Sequence, residues 1–354
     1  MPLRIFAVEL YVWRSASNQA GVVIPVVDGQ TPRQAAELYK TRFSDSRELQ
    51  ALLQRSVGPA FEGGTFERLN DADFNERVLL IANMPGDAEA GSPRVAPFVE
   101  PLAAKHVHSY ILPVAADLGI ERSTGELIRL LDRRFPSFIA IGGDDTDRTL
   151  FDQSNHMSIN TNFRRDKFEA ALLMQKIKTI QKQSESINRI FAVCRGAQLV
   201  ASLMGHSFGV DIATDLPTSK VVHGIPAGNG PAYTGGGPEP THAIQLTGQA
   251  GGILSTLLEG ERNFTGNTYH HQHILPSPQA WMPLRTTAIS PDDGVVEAAE
   301  YADSVLLLQF HPELMRIRSS GEVRLTGERI MSGSAGFLTP RHTFNCENQL
   351  RSGT

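Results

Sequence analysis

From Val78 onward, short apolar runs alternate with longer segments of helical character, and no other feature of this chain narrows its fold as much. The runs are VLLIA (78–82), YILPV (110–114), SFIAI (137–141), RIFAV (189–193) and VLLLQF (305–310). Between them, Pro97 to His106 has helical character and Thr124 to Arg134 is amphipathic. Arg165 to Gln183 places Ala170, Leu173, Met174, Ile177 and Ile180 on one helical face. Near-continuous apolar runs suit strands buried on both faces. Strands alternating with helices imply a mostly parallel sheet with helices on both faces, so an α/β fold is expected over residues 77–340. In such sheets, ligands bind beyond the carboxyl ends of the strands.

Cys194, Arg195 and Gly196 join RIFAV to a second pattern, Ala197 to Met204, whose apolar residues share a helical face. A strand that turns this sharply into a helix lifts the turn residue out of the sheet. The helix N-terminus behind it favours negative charge there. A thiolate gains from that position, which makes Cys194 a candidate nucleophile. A small buried hydrophobe is the competing reading of a free cysteine. Gly196 fits a turn in which a Cβ would crowd the passing backbone.

Two other strand ends carry polar residues. IGGDDTD (141–147) sets Gly142 and Gly143 directly after a strand, where backbone N–H groups can point into a site and stabilise an oxyanion. Alone, such a pair is more often an ordinary strand-to-helix turn. Neither GxGxxG nor GK[ST] is present there, so no nucleotide motif is read. VLLLQF delivers His311, Pro312 and Glu313. Pro312 biases His311 towards an extended backbone, in which residues two apart face the same side. The Glu313 carboxylate can then hold one imidazole nitrogen while the other faces the site. An activated thiol needs such a base with its orienting group.

Three further stretches stand out. GIPAGNGPAYTGGGPEP (224–240) lies between His223 and His242 and reads either as a flap beside the site or as a solvated loop. In NTYHHQH (267–273), an extended strand would put His271 and His273 on one face and His270 on the other. No nearby cysteine or acidic spacing completes a ligand set there, so substrate contacts are expected and a metal is not. GHSFG (205–209) matches GxSxG, a motif that works only on a strand-to-helix turn. Here a helix precedes it and the strand-like VDI follows, so Ser207 is expected in the loop that closes that helix.

With 354 residues, 41% of them hydrophobic, and a net charge of −5, the chain can bury a full α/β core plus an addition. That balance offers nothing to nucleic acid or to an acidic membrane surface. Cys194 and Cys346 are too few for a disulfide framework and fit a reducing compartment. The apolar run of MPLRIFAVELYVWRS is broken by Glu9 and makes a poor signal peptide. No apolar stretch approaches the ~20 residues of a membrane span, so the cytoplasm is the expected address. Residues 1–76 read as a separate piece, with strands at Ile5–Trp13 and Val22–Val27 and helical stretches between Pro32 and Val57. That piece carries no chemical motif, and either an extra layer or a surface for a homodimer or partner protein fits it. Residues 341–354 form a polar tail.

Seven motifs stand in order: IGGDDTD, RRDKFE (164–169), VCRGAQ (193–198), HAIQL (242–246), NTYHHQ (267–272), SPDDGVVEA (290–298) and QFHPE (309–313). In this order they resemble the class I glutamine amidotransferase superfamily, and within it the gamma-glutamyl hydrolase branch that includes gamma-glutamyl-GABA hydrolases. The resemblance covers Val78 to Gly336 and implies a flavodoxin-like sheet. It implies that Cys194 is the nucleophile, His311 the general base and Glu313 its orienting residue. It places the oxyanion hole at the backbone N–H groups of Gly143 and Arg195, and puts Gln198, Tyr269 and His270 around a glutamyl pocket. The chain departs from the family at Arg148, where proline is usual, at Thr268 in place of serine, and at Phe310 in place of tryptophan.

The activity expected is hydrolysis of a γ-glutamyl amide through a thioester on Cys194, with no cofactor and no metal, on a small γ-glutamyl substrate. Competing expectations are a glutaminase that supplies ammonia to a separate synthetase, glutamyl transfer or removal on a macromolecule, and a non-catalytic protein on the same fold. Retention of Cys194, His311 and Glu313 together weighs against the last.

Overall fold

The computed structural model describes residues 7–15, 19–37, 64–70, 76–82, 95–113, 124–151, 153, 157–158, 161–183, 187–209, 211–224, 240–248 and 251–339. The helical stretch expected at 46–57, most of the Gly/Pro-rich loop, the tail and Cys346 lie outside them.

One twelve-stranded sheet runs through the molecule. Its strands are β1 (Val8–Ser15), β2 (Ala20–Val27), β3 (Gly64–Arg68), β4 (Arg77–Ala82), β5 (His108–Pro113), β6 (Ser137–Ala140) and β7 (Arg189–Val193), then β9 (Thr241–Leu246), β10 (Asn263–Asn267), β12 (Arg285–Ile289), β13 (Val296–Tyr301) and β14 (Val305–Leu308). The spatial order is β10-β9-β12-β13-β14-β7-β6-β4-β5-β2-β1-β3. From β14 through β2 every neighbouring pair is parallel. Within that block, β5-β4-β6-β7-β14 has the 2-1-3-4-5 winding of a flavodoxin-like sheet. The sequence's buried strands are therefore the sheet's centre. All six residues of β4 and all four of β14 are buried.

Antiparallel strands extend both edges. On one side lie β13, β12, β9 and β10. On the other, the first 76 residues supply β1 and β3, with β2 joining the parallel block through β5. These N-terminal strands lengthen the sheet sideways. The pairings of β2 with β5 and of β1 with β3 join partners far along the chain, which local pattern does not record.

Eight helices carry labels here: α1 (Ala96–Ala104), α2 (Thr124–Arg134), α3 (Phe163–Lys182), α4 (Arg195–Leu203), α5 (Ile212–Asp215), α6 (Ile253–Leu257), α7 (Pro312–Arg318) and α8 (Gly321–Leu338). One apolar cluster packs α2, α3 and α4 on the sheet through Leu131, Leu173, Ile177 and Val200. A second packs α1, α6 and α8 on the opposite face through Phe98, Leu254 and Ile330. Burial of this kind contributes roughly 25 cal/mol per Å² of apolar area. It holds the ends of the central strands in fixed relation.

The GHSFG segment differs from expectation. Ser207–Gly209 is a short strand, β8, paired with β11 (His273–Leu275) in a second sheet. Of the strand expected at VDI, Val210 lies outside the described residues, while Asp211 and Ile212 are the cap and first residue of α5, the Asp211 side chain accepting a hydrogen bond from Thr214 N at 3.0 Å. Ser207 is exposed and lies on no strand-to-helix turn.

Candidate active site

Three adjacent parallel strands, β14, β7 and β6, end side by side, and each ends in one of the singled-out motifs. Cys194 follows the middle strand. Its N–H donates to Leu308 O of β14 at 2.7 Å, and its carbonyl accepts from Gln198 N at 3.0 Å as α4 begins. Between those two bonds the backbone turns at φ 51°, ψ −115°, a region costly for a residue with a Cβ. Conformations of this rarity cost of order 1–3 kcal/mol and persist only where the surroundings impose them. Gly196 shows the constraint: a Cβ there would stand 2.3 Å from Ala140 O of β6. The helix can follow the strand this closely only with glycine at that position.

On the β6 side, Gly142 lies against the side chains of both Cys194 and His311. A Cβ at Gly142 would meet His311 Cε1 at 2.7 Å, Cys194 Cβ at 3.4 Å and His311 Nε2 at 3.5 Å. The buried thiol and the Nε2 edge of the imidazole thus share one glycine wall. Arg195 is the first residue of α4, so its backbone N–H is among the donors that a helix start leaves unused. Gly143 sits next to Gly142 at the end of β6.

On the β14 side, His311 caps α7 with φ −109°, ψ 84°, and its Nδ1 is 2.6 Å from Glu313 Oε1. His311 does not adopt the extended backbone expected before Pro312, and Glu313 does not lie on a continuing strand. It sits in the first turn of α7, with Pro312 at the position where a missing N–H is harmless. The contact arises from helix initiation. Asn267, at the end of β10, fixes His311 from behind: it accepts from His311 N at 2.8 Å and donates to His311 O at 3.0 Å. The Tyr269 ring stands edge-on to the imidazole at 5.7 Å between centroids.

The remaining predicted pocket residues are placed differently. Gln198 donates to Gln272 O at 3.1 Å. His270 is buried, with Nδ1 3.0 Å from the same carbonyl and Nε2 3.6 Å from Glu297 Oε1. Its ring is directed to Glu297 on β13. His271 Nε2 pairs with Asp145 at 2.9 Å and His273 Nε2 with Asp215 at 3.1 Å, so the three histidines of HHQH go to three separate partners. Arg148 donates to Phe208 O at 3.2 Å and to Gln153 at 2.8 Å, tying the loop after β6 to β8. Phe310 packs against Phe264 at 5.5 Å.

Sequence reasoning missed what RRDKFE does. Asp166 and Glu169 on α3 are fully buried and grip the guanidinium of Arg195, at 2.5 and 2.6 Å. Asp166 also accepts from Asp147 N at 2.7 Å and from Arg165 Nε at 2.7 Å. One carboxylate therefore fastens the loop after β6 to the first residue of α4, the two segments flanking Cys194. Burial pushes the Glu169 carboxyl up, opposed by Arg195 and Arg165.

A family model described as Peptidase C26 matches residues 98–313. The chain belongs to the peptidase C26 family. The match runs from α1 to Glu313 and takes in Gly142, Cys194 and His311, leaving β1 to β4 outside it. Members of this class I glutamine amidotransferase-like family are hydrolases acting on amide bonds. Protein NtpR of Enterococcus hirae is 31% identical to this peptidase C26 chain over 216 residues, covering 59% of this chain and 78% of that protein. Among solved structures, a glutamine amidotransferase from Thermotoga maritima is 14% identical, covering 74% of this chain and 97% of that one, with a TM-score of 0.44. The glutaminase domain of Trypanosoma brucei CTPS with bound acivicin is 15% identical, covering 73% and 92%, with a TM-score of 0.46.

Proposed function

We propose that this peptidase C26 protein is a cysteine hydrolase that cleaves the amide bond of a γ-glutamyl amine or γ-glutamyl peptide. The observation that carries the reading is the convergence on Gly142: Cys194 Cβ and His311 Nε2 both lie against it, while Glu313 holds the opposite imidazole nitrogen. With Nδ1–H donating to Glu313, Nε2 is the nitrogen left to exchange a proton with the thiol.

In this mechanism His311 takes the thiol proton and the Cys194 sulfur attacks the side-chain carbonyl carbon. Backbone N–H groups of Gly143 and Arg195 stabilise the resulting oxyanion, each contributing about 3 kcal/mol to the barrier reduction. The carbon–nitrogen bond breaks as His311 Nε2–H protonates the departing amine, which leaves a γ-glutamyl thioester. Water then gives a proton to His311 and attacks the thioester. Glutamate departs, and the proton returns to sulfur. Tyr269 lines the glutamyl side of the cleft in this reading, and Gln198 supports the wall behind it.

The test is amine release from glutamine, γ-glutamyl-GABA, γ-glutamyl polyamines and poly-γ-glutamate, with wild type and Cys194→Ala. Release from a γ-glutamyl amine or from poly-γ-glutamate that vanishes in the variant supports the reading. Release from glutamine alone replaces it with an ammonia-supplying glutaminase. No release from any of them refutes hydrolysis of small γ-glutamyl substrates.

A further inference from the structure

His223, His242, His270 and Glu297 come from four distant parts of the chain. His223 precedes the Gly/Pro-rich loop, His242 lies on β9 after it, His270 follows β10, and Glu297 lies on β13. Their side chains are 1%, 6%, 1% and 0% exposed. Three imidazole nitrogens converge on one oxygen: His242 Nε2 at 3.0 Å, His270 Nε2 at 3.6 Å and His223 Nδ1 at 3.8 Å from Glu297 Oε1. Among the described residues, neither oxygen of Glu297 nor His270 Nε2 has a well-formed hydrogen bond, and nor does either nitrogen of His242. A buried ionised carboxylate in this condition is costly unless a positive charge compensates it.

The opposite nitrogens of the two outer rings indicate what compensates. His223 Nε2 is 2.9 Å from Asp293 Oδ2, and His270 Nδ1 is 3.0 Å from the Gln272 carbonyl. Both partners only accept, so each of those nitrogens carries the proton. In neutral rings, His223 Nδ1 and His270 Nε2 then turn bare lone pairs towards the carboxylate. The Thr268 hydroxyl, 3.5 Å from His223 Nδ1, touches one of them. Lone pairs facing a carboxylate repel unless a cation lies between. Imidazoles anchored through the far nitrogen by a carboxylate or a carbonyl are the usual outer arrangement of metal-bound histidines.

We propose that His223, His270 and Glu297, with His242 as the fourth donor, bind one divalent transition-metal ion of the zinc class. The ligand atoms of the first three lie within 4.8 Å of one another. A tetrahedral ion with bonds of about 2.0–2.2 Å sets its ligands about 3.4 Å apart, so the widest pair of these three must close by about 1.4 Å, roughly 0.7 Å for each atom. Imidazole and carboxylate donors suit zinc and its neighbours, whereas calcium and magnesium favour all-oxygen shells. HHQH taken alone carries no such set, because only His270 contributes and the other donors lie far from it in sequence. The ion ties both flanks of residues 225–239 to β13. It also fixes His270, whose neighbour Tyr269 faces His311.

The test uses chelator-treated Cys194→Ser/Cys346→Ser protein, in which no thiolate competes, titrated with Co²⁺ and back-titrated with Zn²⁺. One equivalent of Co²⁺ is expected, with the intense visible bands of a tetrahedral nitrogen/oxygen site that Zn²⁺ abolishes. Glu297→Gln and His270→Ala are expected to weaken binding at least about 100-fold, and Asp293→Asn, which acts through His223, about 10–100-fold. His108→Ala, at an exposed histidine, changes nothing. Circular dichroism and melting of the metal-free variants confirm folding, and the near-isosteric Glu297→Gln serves if an alanine variant does not fold. Substoichiometric binding, or binding unaffected by Glu297→Gln, overturns the proposal in favour of a protonated histidine–carboxylate network. None of these readouts involves amide turnover, so the outcome is independent of the chemistry at Cys194.

Discussion

Asp166→Asn removes one charge from a buried group that is balanced with it. Arg165, Arg195, Asp166 and Glu169 are 3%, 1%, 0% and 0% exposed and carry two positive and two negative charges. The variant keeps the shape but leaves Glu169 to face two guanidinium groups. Leaving a buried ion without its partner costs about 3–5 kcal/mol. At about 2.1 cal/mol/K of unfolding entropy per residue, a chain of 354 residues should melt about 4–7 °C lower. The same substitution loosens the anchor at Asp147 N, which holds the loop after β6 beside Cys194. Turnover is therefore expected to fall more than KM rises, since the oxyanion donors act chiefly in the transition state. Calorimetry and steady-state amine release measure the two effects. Adding Arg165→Met restores the balance of one charge of each sign and should recover part of the lost stability. A melting temperature within about 1 °C of wild type, or a double variant less stable than Asp166→Asn, would refute the electrostatic argument.

Gly196→Ala forces a Cβ to within 2.3 Å of Ala140 O and must push α4 off β6. It is expected to lower stability by about 1–3 kcal/mol and to abolish amine release, as calorimetry and assay would show. Cys194→Gly should unfold at higher temperature than Cys194→Ala, because φ 51° strains any residue with a Cβ. Relief of about 1–3 kcal/mol outweighs the roughly 0.5–1 kcal/mol entropic cost of glycine. Burial pushes the Lys176 ammonium down to about 8 against the pull of Asp132. The unfolded chain keeps that proton to about pH 10.4, so between those values it binds more protons than the folded chain. Stability then rises with pH, by up to about 3 kcal/mol at this group. Urea unfolding at pH 7.5 and 9.5 should show wild type gaining on Lys176→Met.

The central strands and the three motifs at their ends were legible because each is local. An apolar run, a glycine pair or a His-Pro-Glu is complete within a few residues, and a parallel sheet brings the ends of such runs together. What stayed hidden depends on distant partners. β2 and β3 join the sheet by pairing with β5 and β1, partners far along the chain that no local pattern encodes. The grip of Asp166 and Glu169 on Arg195 spans two elements. The histidine cluster needs Glu297 from β13, which is why HHQH read as a set lacking ligands. Glu313 meets one His311 ring nitrogen, as expected, but by an unexpected route, since Pro312 starts a helix as readily as it extends a strand. At Asp211, a capping side chain prevailed over the apolar pattern of VDI.

The central claim, that a glutamyl group passes through the Cys194 sulfur, is tested most directly by trapping it. Protein turning over whichever γ-glutamyl amine the panel selects is quenched in acid, digested and analysed by mass spectrometry. The account predicts one γ-glutamyl residue on the peptide containing Cys194, lost on brief treatment with hydroxylamine and absent from Cys194→Ser. Continued turnover by Cys194→Ala, or a glutamyl adduct on any other residue, would contradict it.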